Sequence, residues 1–387
     1  MNLIMKTTLN RRNLPTSFLI FLFTVTALSV LNPSLFELFT KISLYAVLLV
    51  VLVDLIAFPR AEKFDFVLVL TSVVYFFLSA IWSNGGMGSV LNYTLALLIL
   101  RTIENANFTE MQFLYMGKLS LIMNVYIFLR SFQYASNWAY HRFHDINPNT
   151  YGMFNMFFAM IVCNVFVSKD KSRKFIDFCA RILSCFLAVI SMMNLKSRGP
   201  LMALMLFLLL NVMPSAIKSG KSLYRIGILF FAISIAFPFI YLNMYNNGIN
   251  ITILGKTLYT GREYLWTQMI NSLDNSRGGW ILGMGSKVQL HTDQAINNVH
   301  NDPFVTIITF GILGMILTAL YILLKLKHAC NFSHDEESSP WLVMYICSVI
   351  VLGFIETVSH WAVIYIFSYM GLGIACGIKN RRSGGVK

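Results

Sequence analysis

Charged side chains are scarce in this sequence. Asp, Glu, Lys and Arg together make up 12% of its 387 residues, whereas 57% of the residues are hydrophobic. A soluble domain carries roughly 25% charged residues, so this chain lacks the polar surface that a water-soluble fold of its size requires. The composition therefore excludes a soluble globular protein.

The apolar residues form long runs, such as 45–58, 66–82 and 304–324. A bilayer core about 30 Å thick needs about 20 helical residues to cross it, and only closed hydrogen-bonding patterns are stable in lipid. We predict an all-α polytopic integral membrane protein that forms a single membrane domain over residues 1–387. About twelve spans are expected, near 16–32, 42–58, 64–82, 88–103, 111–130, 150–168, 175–194, 199–213, 223–243, 303–324, 341–358 and 360–378.

Signals for several other kinds of protein are missing. The six cysteines are not spaced like metal ligands and indicate no disulfide framework. There is no Asp-x-Asp metal motif and no nucleotide-binding pattern. The first apolar run follows a basic segment, as in a signal peptide, but no small-residue cleavage site follows it, so we expect a retained helix.

Two polar stretches stand out between the spans, a smaller loop at 131–149 and a large loop at 244–302. If the N-terminus is cytoplasmic and the spans alternate in direction, most lysines and arginines lie on the cytoplasmic side, as the positive-inside rule requires. We therefore predict a multi-pass protein of a bacterial inner membrane, with both termini cytoplasmic and both loops in the periplasm. The basic residues left on the periplasmic side are Lys41, Arg130, Arg142, Lys196, Arg198, Lys256, Arg262, Arg277 and Lys287.

The net charge of +13 agrees with this bias and with attraction to anionic membrane lipids. It requires no nucleic acid partner. The basic residues on the periplasmic side are the unusual ones, because the topology does not require them there.

Three motifs on that side each precede a predicted span: HNDP at 300–303, SRGP at 197–200 and NPNTYG at 147–152. In the first, Asp302 is the expected N-cap and Pro303 the first helical residue, which places His300 at the mouth of the helix. In the second, Pro200 starts the helix and Arg198 lies at its outer end. Helix N-termini carry free N–H groups and a partial positive charge, so each is a favourable place for a phosphate.

The large loop contributes TGREYLW at 260–266, whose later residues predict a short interfacial helix with Tyr264 and Trp266 in the headgroup layer. GMGS at 283–286 and His291 follow it. Each signal is weak by itself, because a lone arginine usually anchors headgroups and a lone loop histidine is usually solvated. Glu356, near the outer end of the eleventh span, can simply pair with a basic residue, although acids within a membrane are often functional. HDEE at 334–337 has the composition of a metal cluster but is expected to be a solvated cytoplasmic face.

Together the motifs are more specific, because NPNTYG, SRGP, TGREYLW, GMG and HNDPFVTIITFGILG occur in this order between about residues 147 and 318. In order and spacing they resemble the O-antigen polymerase and O-antigen ligase superfamily. The resemblance implies a GT-C-like membrane glycosyltransferase whose donor is a glycan on undecaprenyl diphosphate. It implies no sugar nucleotide, no metal and no other cofactor.

The resemblance also implies roles for individual residues. Arg198 and Arg262 would neutralise the leaving diphosphate, because arginine stays charged and can bind phosphate oxygens bidentately. His300 matches the motif histidine and would act as the general base on the acceptor hydroxyl. Attack opposite the diphosphate would invert the anomeric centre. The expected substrate-binding residues are Glu263, Asn301, Asn149 and Tyr264, with Glu263 orienting either Arg262 or an acceptor hydroxyl.

Several functions remain open at this point. A polymerase would pass the growing chain to a lipid-linked repeat unit, and the NPN and SRG segments favour it. A ligase would use a lipid A core sugar instead, and a related capsule enzyme is a further option. A lipid-linked glycan flippase would place charged or helix-breaking residues at mid-membrane, for which Asp54 and Lys118 are the main candidates. The expected partners are undecaprenyl-diphosphate-linked oligosaccharide and polysaccharide and membrane lipids, and a chain-length regulator protein is left open.

Overall fold

The computed structural model describes residues 2–57, 63–83, 85–166, 171–213, 218–253, 256–257, 259, 261–285, 300–331, 339–354, 356, 358 and 361–384. These residues are mainly helical, with one antiparallel pair of two-residue strands, β1 (Thr252–Ile253) and β2 (Lys256–Thr257). The predicted helical class is therefore confirmed. The helices are α1 (Asn2–Ser29), α2 (Pro33–Ala57), α3 (Lys63–Trp82), α4 (Met87–Asn105), α5 (Glu110–Ser136), α6 (Trp138–His144), α7 (Pro148–Val165), α8 (Lys171–Asn194), α9 (Arg198–Val212), α10 (Gly220–Asn246), α11 (Arg262–Asn275), α12 (Gly279–Leu282), α13 (Asp302–Ala329), α14 (Ser339–Leu352) and α15 (Tyr365–Gly384).

Six helical stretches within the described ranges are long and apolar enough to cross a bilayer: Pro33–Ala57, Asp65–Trp82, Glu110–Ser136, Lys174–Asn194, Gly220–Asn246 and Asp302–Ala329. Shorter apolar helical stretches accompany them at Leu14–Ser29, Arg198–Val212, Trp341–Leu352 and Ala362–Ile378. By length and composition the chain is an α-helical multi-pass membrane protein, as predicted.

Two helix boundaries differ from the predicted spans. Helix α5 continues to Ser136, beyond the predicted end at residue 130, and the buried Tyr134 on this extension packs against α7. Helix α14 ends at Leu352, so the predicted continuation to residue 358 was wrong. The residues after Leu352 are mostly apolar, which hides the boundary in the sequence. The backbone of Gly353, Phe354 and Val358 is bound by Asn301 and Asp302 at the start of α13.

Contacts between helix ends give the bundle two chemically distinct ends. At one of them, Lys325 near the end of α13 pairs with Asp65 at the start of α3 and with Glu104 at the end of α4. Nearby on α4, Arg101 lies 3.1 Å from the carboxylate of Asp54, near the end of α2. This is called the ion-pair end below. The opposite end, where α13 begins, is called the site end.

Helix α7 is buried over nearly all of its length, as expected for a helix that is apolar on every side. Its rings of Phe154, Phe157 and Phe158 lie 5.6, 5.7 and 5.6 Å from the ring of Phe367 in α15. This aromatic core fixes the start of α7 at the site end relative to α15.

Helix α13 is kinked at Gly311, which has φ 71° and ψ −177°. The segment 283–285, called the GMG strap, runs beside the kink. Its N–H groups at 284 and 285 donate to the carbonyl oxygens of Ile308 and Thr309 at 2.7 and 3.2 Å. A Cβ at position 311 would lie 2.0 Å from the carbonyl oxygen of Ile281, so only glycine fits there. The large loop is thus packed into the bundle.

We expect Lys325→Ala to destabilise the protein, because it leaves two neighbouring carboxylates without their shared cation. Removing one partner of a buried ion pair costs about 3–5 kcal/mol. Thermal unfolding of the detergent-purified protein should show a clearly lower midpoint. The control is Lys41→Ala, since the pair between Lys41 and Glu37 lies on the exposed surface of α2 and such pairs contribute little. Equal midpoints for the two variants would contradict the prediction.

Candidate active site

Three of the predicted site residues meet at one carboxylate, that of Glu356. Its Oε1 accepts a hydrogen bond from Asn149 Nδ2 at 2.9 Å and lies 3.6 Å from Arg262 Nη2. Its Oε2 lies 3.2 Å from His300 Nδ1. Glu356 is 6% exposed. These residues come from distant parts of the sequence, so the fold itself assembles the cluster.

The segment that carries Glu356 is held by the two residues after His300. Asn301 Nδ2 donates to the carbonyl oxygen of Phe354 at 3.1 Å, and the Asp302 N–H donates to that of Gly353 at 3.0 Å. The Asp302 carboxylate accepts from the N–H of Val358 at 2.7 Å. The HND motif therefore contacts this segment on both sides of Glu356.

The prediction that Asp302 caps α13 was wrong by one residue. Asn301 is the N-cap, and its Oδ1 accepts from the N–H of Phe304 at 2.8 Å. Asp302 is the first helical residue, and its carboxylate binds the segment after α14 instead. Both residue types favour N-caps, so the sequence alone did not distinguish them.

His300 has a backbone φ of 55°, in the left-handed region that non-glycine residues rarely adopt. Such a conformation costs about 1–3 kcal/mol and persists where the surroundings determine it. Here the residue after it is tied on two sides, because Asn301 Nδ2 also donates to the carbonyl oxygen of Ser234 in α10 at 3.0 Å. The imidazole at the mouth of α13 is therefore held in place by its neighbours.

Arg262 is the first residue of α11, which begins after Gly261 with φ 90°. The Glu263 carboxylate accepts from the Gly261 N–H at 3.0 Å and from the Tyr241 hydroxyl at 3.1 Å. Glu263 thus anchors the start of α11 to α10, whereas the carboxylate beside Arg262 is that of Glu356.

A helix at the TGREYLW motif is confirmed, but the prediction that both of its aromatic residues lie in a headgroup layer is not. Trp266 is fully buried and packs on Tyr241, with ring centroids 4.9 Å apart. Tyr264 is 58% exposed, and the structure does not bring it into the Glu356 cluster. Trp266 therefore attaches α11 to the bundle.

Arg198 reaches the same end of the bundle as the first residue of α9. Its Nη1 donates to the carbonyl oxygen of Thr257 at 2.8 Å, and the positive charge of Arg262 is near enough to act on it. The starts of α7 and α9 touch directly, because a Cβ at Gly152 would lie 2.2 Å from Ser197 Oγ. This contact joins the NPNTYG and SRGP motifs.

The arrangement has two chemical capacities. A histidine whose Nδ1 contacts a carboxylate has its other ring nitrogen available for proton transfer, which is the usual arrangement of a general base. Two guanidinium groups near helix starts form a place for a phosphate-bearing ligand. Among the residues that the structure describes, no three His, Cys, Asp or Glu side chains are grouped to hold a metal ion.

A small, mainly apolar cavity of about 60 Å³ begins beside the HND motif and continues between α10, α13, α14 and α15. Asp302 and Gly353 line it near the site. Met315 and Ile322 line it further along α13, towards the ion-pair end. An apolar space inside the bundle therefore reaches the segments that carry the site.

Some of the sequence signals lie outside the described residues, namely Thr260, Ser286, His291 and the HDEE stretch at 334–337. The residue that the sequence analysis undervalued is Glu356. The available signal was an acidic residue within an apolar region, which is often functional. No local sequence pattern predicts that Glu356 contacts Asn149, Arg262 and His300.

No family model matches the chain, and no curated protein or solved structure shows significant similarity to it.

We expect Gly152→Ala to lower the unfolding midpoint, because its methyl group forces α7 away from α9. Overpacking of this kind costs about 1–3 kcal/mol. Gly88→Ala is the matched control, since Gly88 is also helical and a Cβ there meets nothing within 4 Å. Alanine at that position should leave the midpoint unchanged or raise it slightly. A midpoint for Gly152→Ala as high as that of Gly88→Ala would show that the two helix starts are not in tight contact.

Proposed function

We propose that this protein is a surface-polysaccharide polymerase of the O-antigen polymerase and ligase superfamily. It transfers a growing glycan from undecaprenyl diphosphate onto a lipid-linked repeat unit by metal-independent, inverting glycosyl transfer. The observation that carries the proposal is the convergence of His300, Arg262 and Asn149 on Glu356. Three motifs that resemble those of the superfamily supply these residues, and they lie at one end of an apolar helical bundle.

The finer topology belongs to the same proposal. Twelve passes in a GT-C-like arrangement follow if α1–α5, α7–α10 and α13–α15 each cross the bilayer once. The site end then faces the periplasm, and the ion-pair end and both termini face the cytoplasm of a bacterial inner membrane. In support, each predicted span overlaps one of these helices, and α13 connects the two ends.

In the proposed reaction, a hydroxyl oxygen of the acceptor attacks C1 of the donor sugar from the side opposite the diphosphate. The C1–O bond to the diphosphate breaks, and its electron pair leaves with the diphosphate oxygen. Arg198 and Arg262 offset the charge that develops there. His300 takes the hydroxyl proton. Asn149 and Asn301 keep the surrounding segments in place.

The apolar cavity beside Asp302 supports a lipid-linked substrate. An isoprenoid chain is apolar and belongs in the hydrocarbon region, whereas its diphosphate requires cations. The space between α10 and α13–α15 begins at the same end of the bundle as Arg262 and His300. A donor with both parts would match this combination of charged groups and apolar lining.

The two other candidate functions predict different features. A ligase shares the chemistry and differs in its acceptor, so the product identifies it. A flippase was expected to use Asp54 and Lys118, but Asp54 is bonded to Arg101 and Asn105, and Lys118 is exposed on α5. These contacts favour a structural role for Asp54, and the chemistry-bearing residues are concentrated at the other end.

The function is tested by the surface-polysaccharide profile of a host that lacks this protein. Lipopolysaccharide capped with a single repeat unit identifies a polymerase. Loss of all O-antigen from lipid A, with long chains accumulating on the lipid carrier, identifies a ligase. An unchanged profile would contradict both functions in this pathway.

His300→Ala should reduce the transfer rate by about 10²–10⁴-fold, the usual contribution of a general base. The measurement is the rate of chain extension with purified enzyme and lipid-linked repeat units. His328→Ala is the control, because His328 lies in the last turn of α13 at the ion-pair end. Full activity of His300→Ala would rule out the proposed base.

The orientation is tested by placing single cysteines in a cysteine-free version of the chain. Tyr264 on α11 and Asn331 after α13 are both exposed and lie towards opposite ends of the bundle. Tyr264→Cys should react with a membrane-impermeant maleimide added to the periplasmic side, and Asn331→Cys only after the cytoplasmic side is opened. Labelling of both from the same side would contradict the proposed topology.

A further inference from the structure

Glu356 has partners of opposite roles in the proposed reaction. One carboxylate oxygen is shared by Asn149 and Arg262, and the other faces His300. Arg262 belongs to the expected diphosphate site, and His300 is the expected base. A single buried carboxylate therefore touches both halves of the chemistry, and a buried carboxylate requires such partners.

The contact with Arg262 differs from the other two. Asn149 donates at 2.9 Å, whereas Arg262 Nη2 lies 3.6 Å from Oε1, too far for a hydrogen bond. Arg262 is thus attracted by charge but is not bonded in the fork-to-fork geometry that makes arginine pairs strong. A diphosphate offers such geometry and a larger negative charge, so it binds Arg262 more strongly than Glu356 does.

The backbone that carries Glu356 cannot follow Arg262 towards a ligand. The segment on either side of it is tied to the start of α13, through Phe354 to Asn301 and through Gly353 and Val358 to Asp302. When a ligand draws Arg262 away, the carboxylate stays beside His300 and Asn149.

We propose that Glu356 is a positioning residue that couples donor binding to the base. Without donor, its charge is divided between Arg262 and His300. When the diphosphate is bound to Arg262, the negative charge of Glu356 acts on His300. There it stabilises the positive charge that His300 gains with the proton from the acceptor hydroxyl. Glu356 itself exchanges no proton. This inference rests on the proposed function, since it takes the diphosphate and the base from it.

The coupling has an unusual consequence for binding. In the unliganded protein Glu356 competes with the diphosphate for Arg262 and also repels it. Glu356→Gln removes both effects while keeping the shape of the side chain. The variant should therefore bind a diphosphate about tenfold more tightly and yet transfer the glycan about 100-fold more slowly. A purely structural role for Glu356 predicts that binding and transfer weaken together.

The first measurement is calorimetric titration of the full-length protein in detergent with inorganic pyrophosphate. Wild type is compared with Glu356→Gln, Arg262→Gln and Asp274→Asn. Asp274 is an exposed acid on α11 that accepts from Trp280, so its variant removes the same charge from the same end of the bundle. We expect tighter binding for Glu356→Gln, weaker binding for Arg262→Gln and little change for Asp274→Asn.

The titration distinguishes failure of the coupling by Glu356 from failure of the proposed function. If wild type binds pyrophosphate and Arg262→Gln weakens it, but Glu356→Gln binds no more tightly than Asp274→Asn, the coupling is wrong and the donor site stands. If wild type does not bind, or Arg262→Gln binds equally well, both the coupling and the proposed donor site fail. Tighter binding together with faster or unchanged transfer by Glu356→Gln would also overturn the coupling.

Discussion

A non-helical stretch can lie among apolar helices only if the protein itself binds its backbone N–H and C=O groups. In the described part of the segment after α14, the side chain of Asn301 binds the carbonyl group of Phe354, and the backbone and carboxylate of Asp302 bind Gly353 and Val358. The same two residues begin α13. Because of these bonds the chain can leave its helix at Leu352, place Glu356 at the site, and start α15 at Tyr365. The cluster around Glu356 depends on these hydrogen bonds between the segment after α14 and the start of α13.

The ion-pair end and the candidate site use charge in different ways. At the ion-pair end, Lys325 and Arg101 are matched with neighbouring carboxylates at hydrogen-bonding distance, an arrangement that joins α2, α3, α4 and α13. Within the candidate site, the contact between Arg262 and Glu356 is longer, and the start of α9 brings a second arginine close to the first. Close pairing suits a contact that joins helices, whereas the longer contact of Arg262 suits exchange for an anionic ligand.

The helices could be predicted from the sequence because lipid imposes a length and a composition on each span. The motifs correctly placed His300 and Arg198 at helix starts, since Gly, Pro and Asn have known preferences for positions near a helix start. Glu356 was undervalued because its partners lie up to 207 residues away and its own surroundings are apolar. The N-cap was misplaced because Asn301 and Asp302 have similar local preferences, and only the contact with Val358 separates them. Trp266 was misplaced because burial between α10 and α13 depends on tertiary packing.

The GMG strap is bonded to α13 beside its kink, and Gly285 also lies against Gly85 in the turn before α4. The large loop therefore contributes backbone to the interior of the bundle. During synthesis the strap emerges before α13, so its final hydrogen bonds must wait until that helix has been inserted. For chimeric proteins, an exchange of the loop alone would separate the strap from its partners. The smallest transferable unit runs from the loop through the first half of α13, together with the end of α3 that receives it.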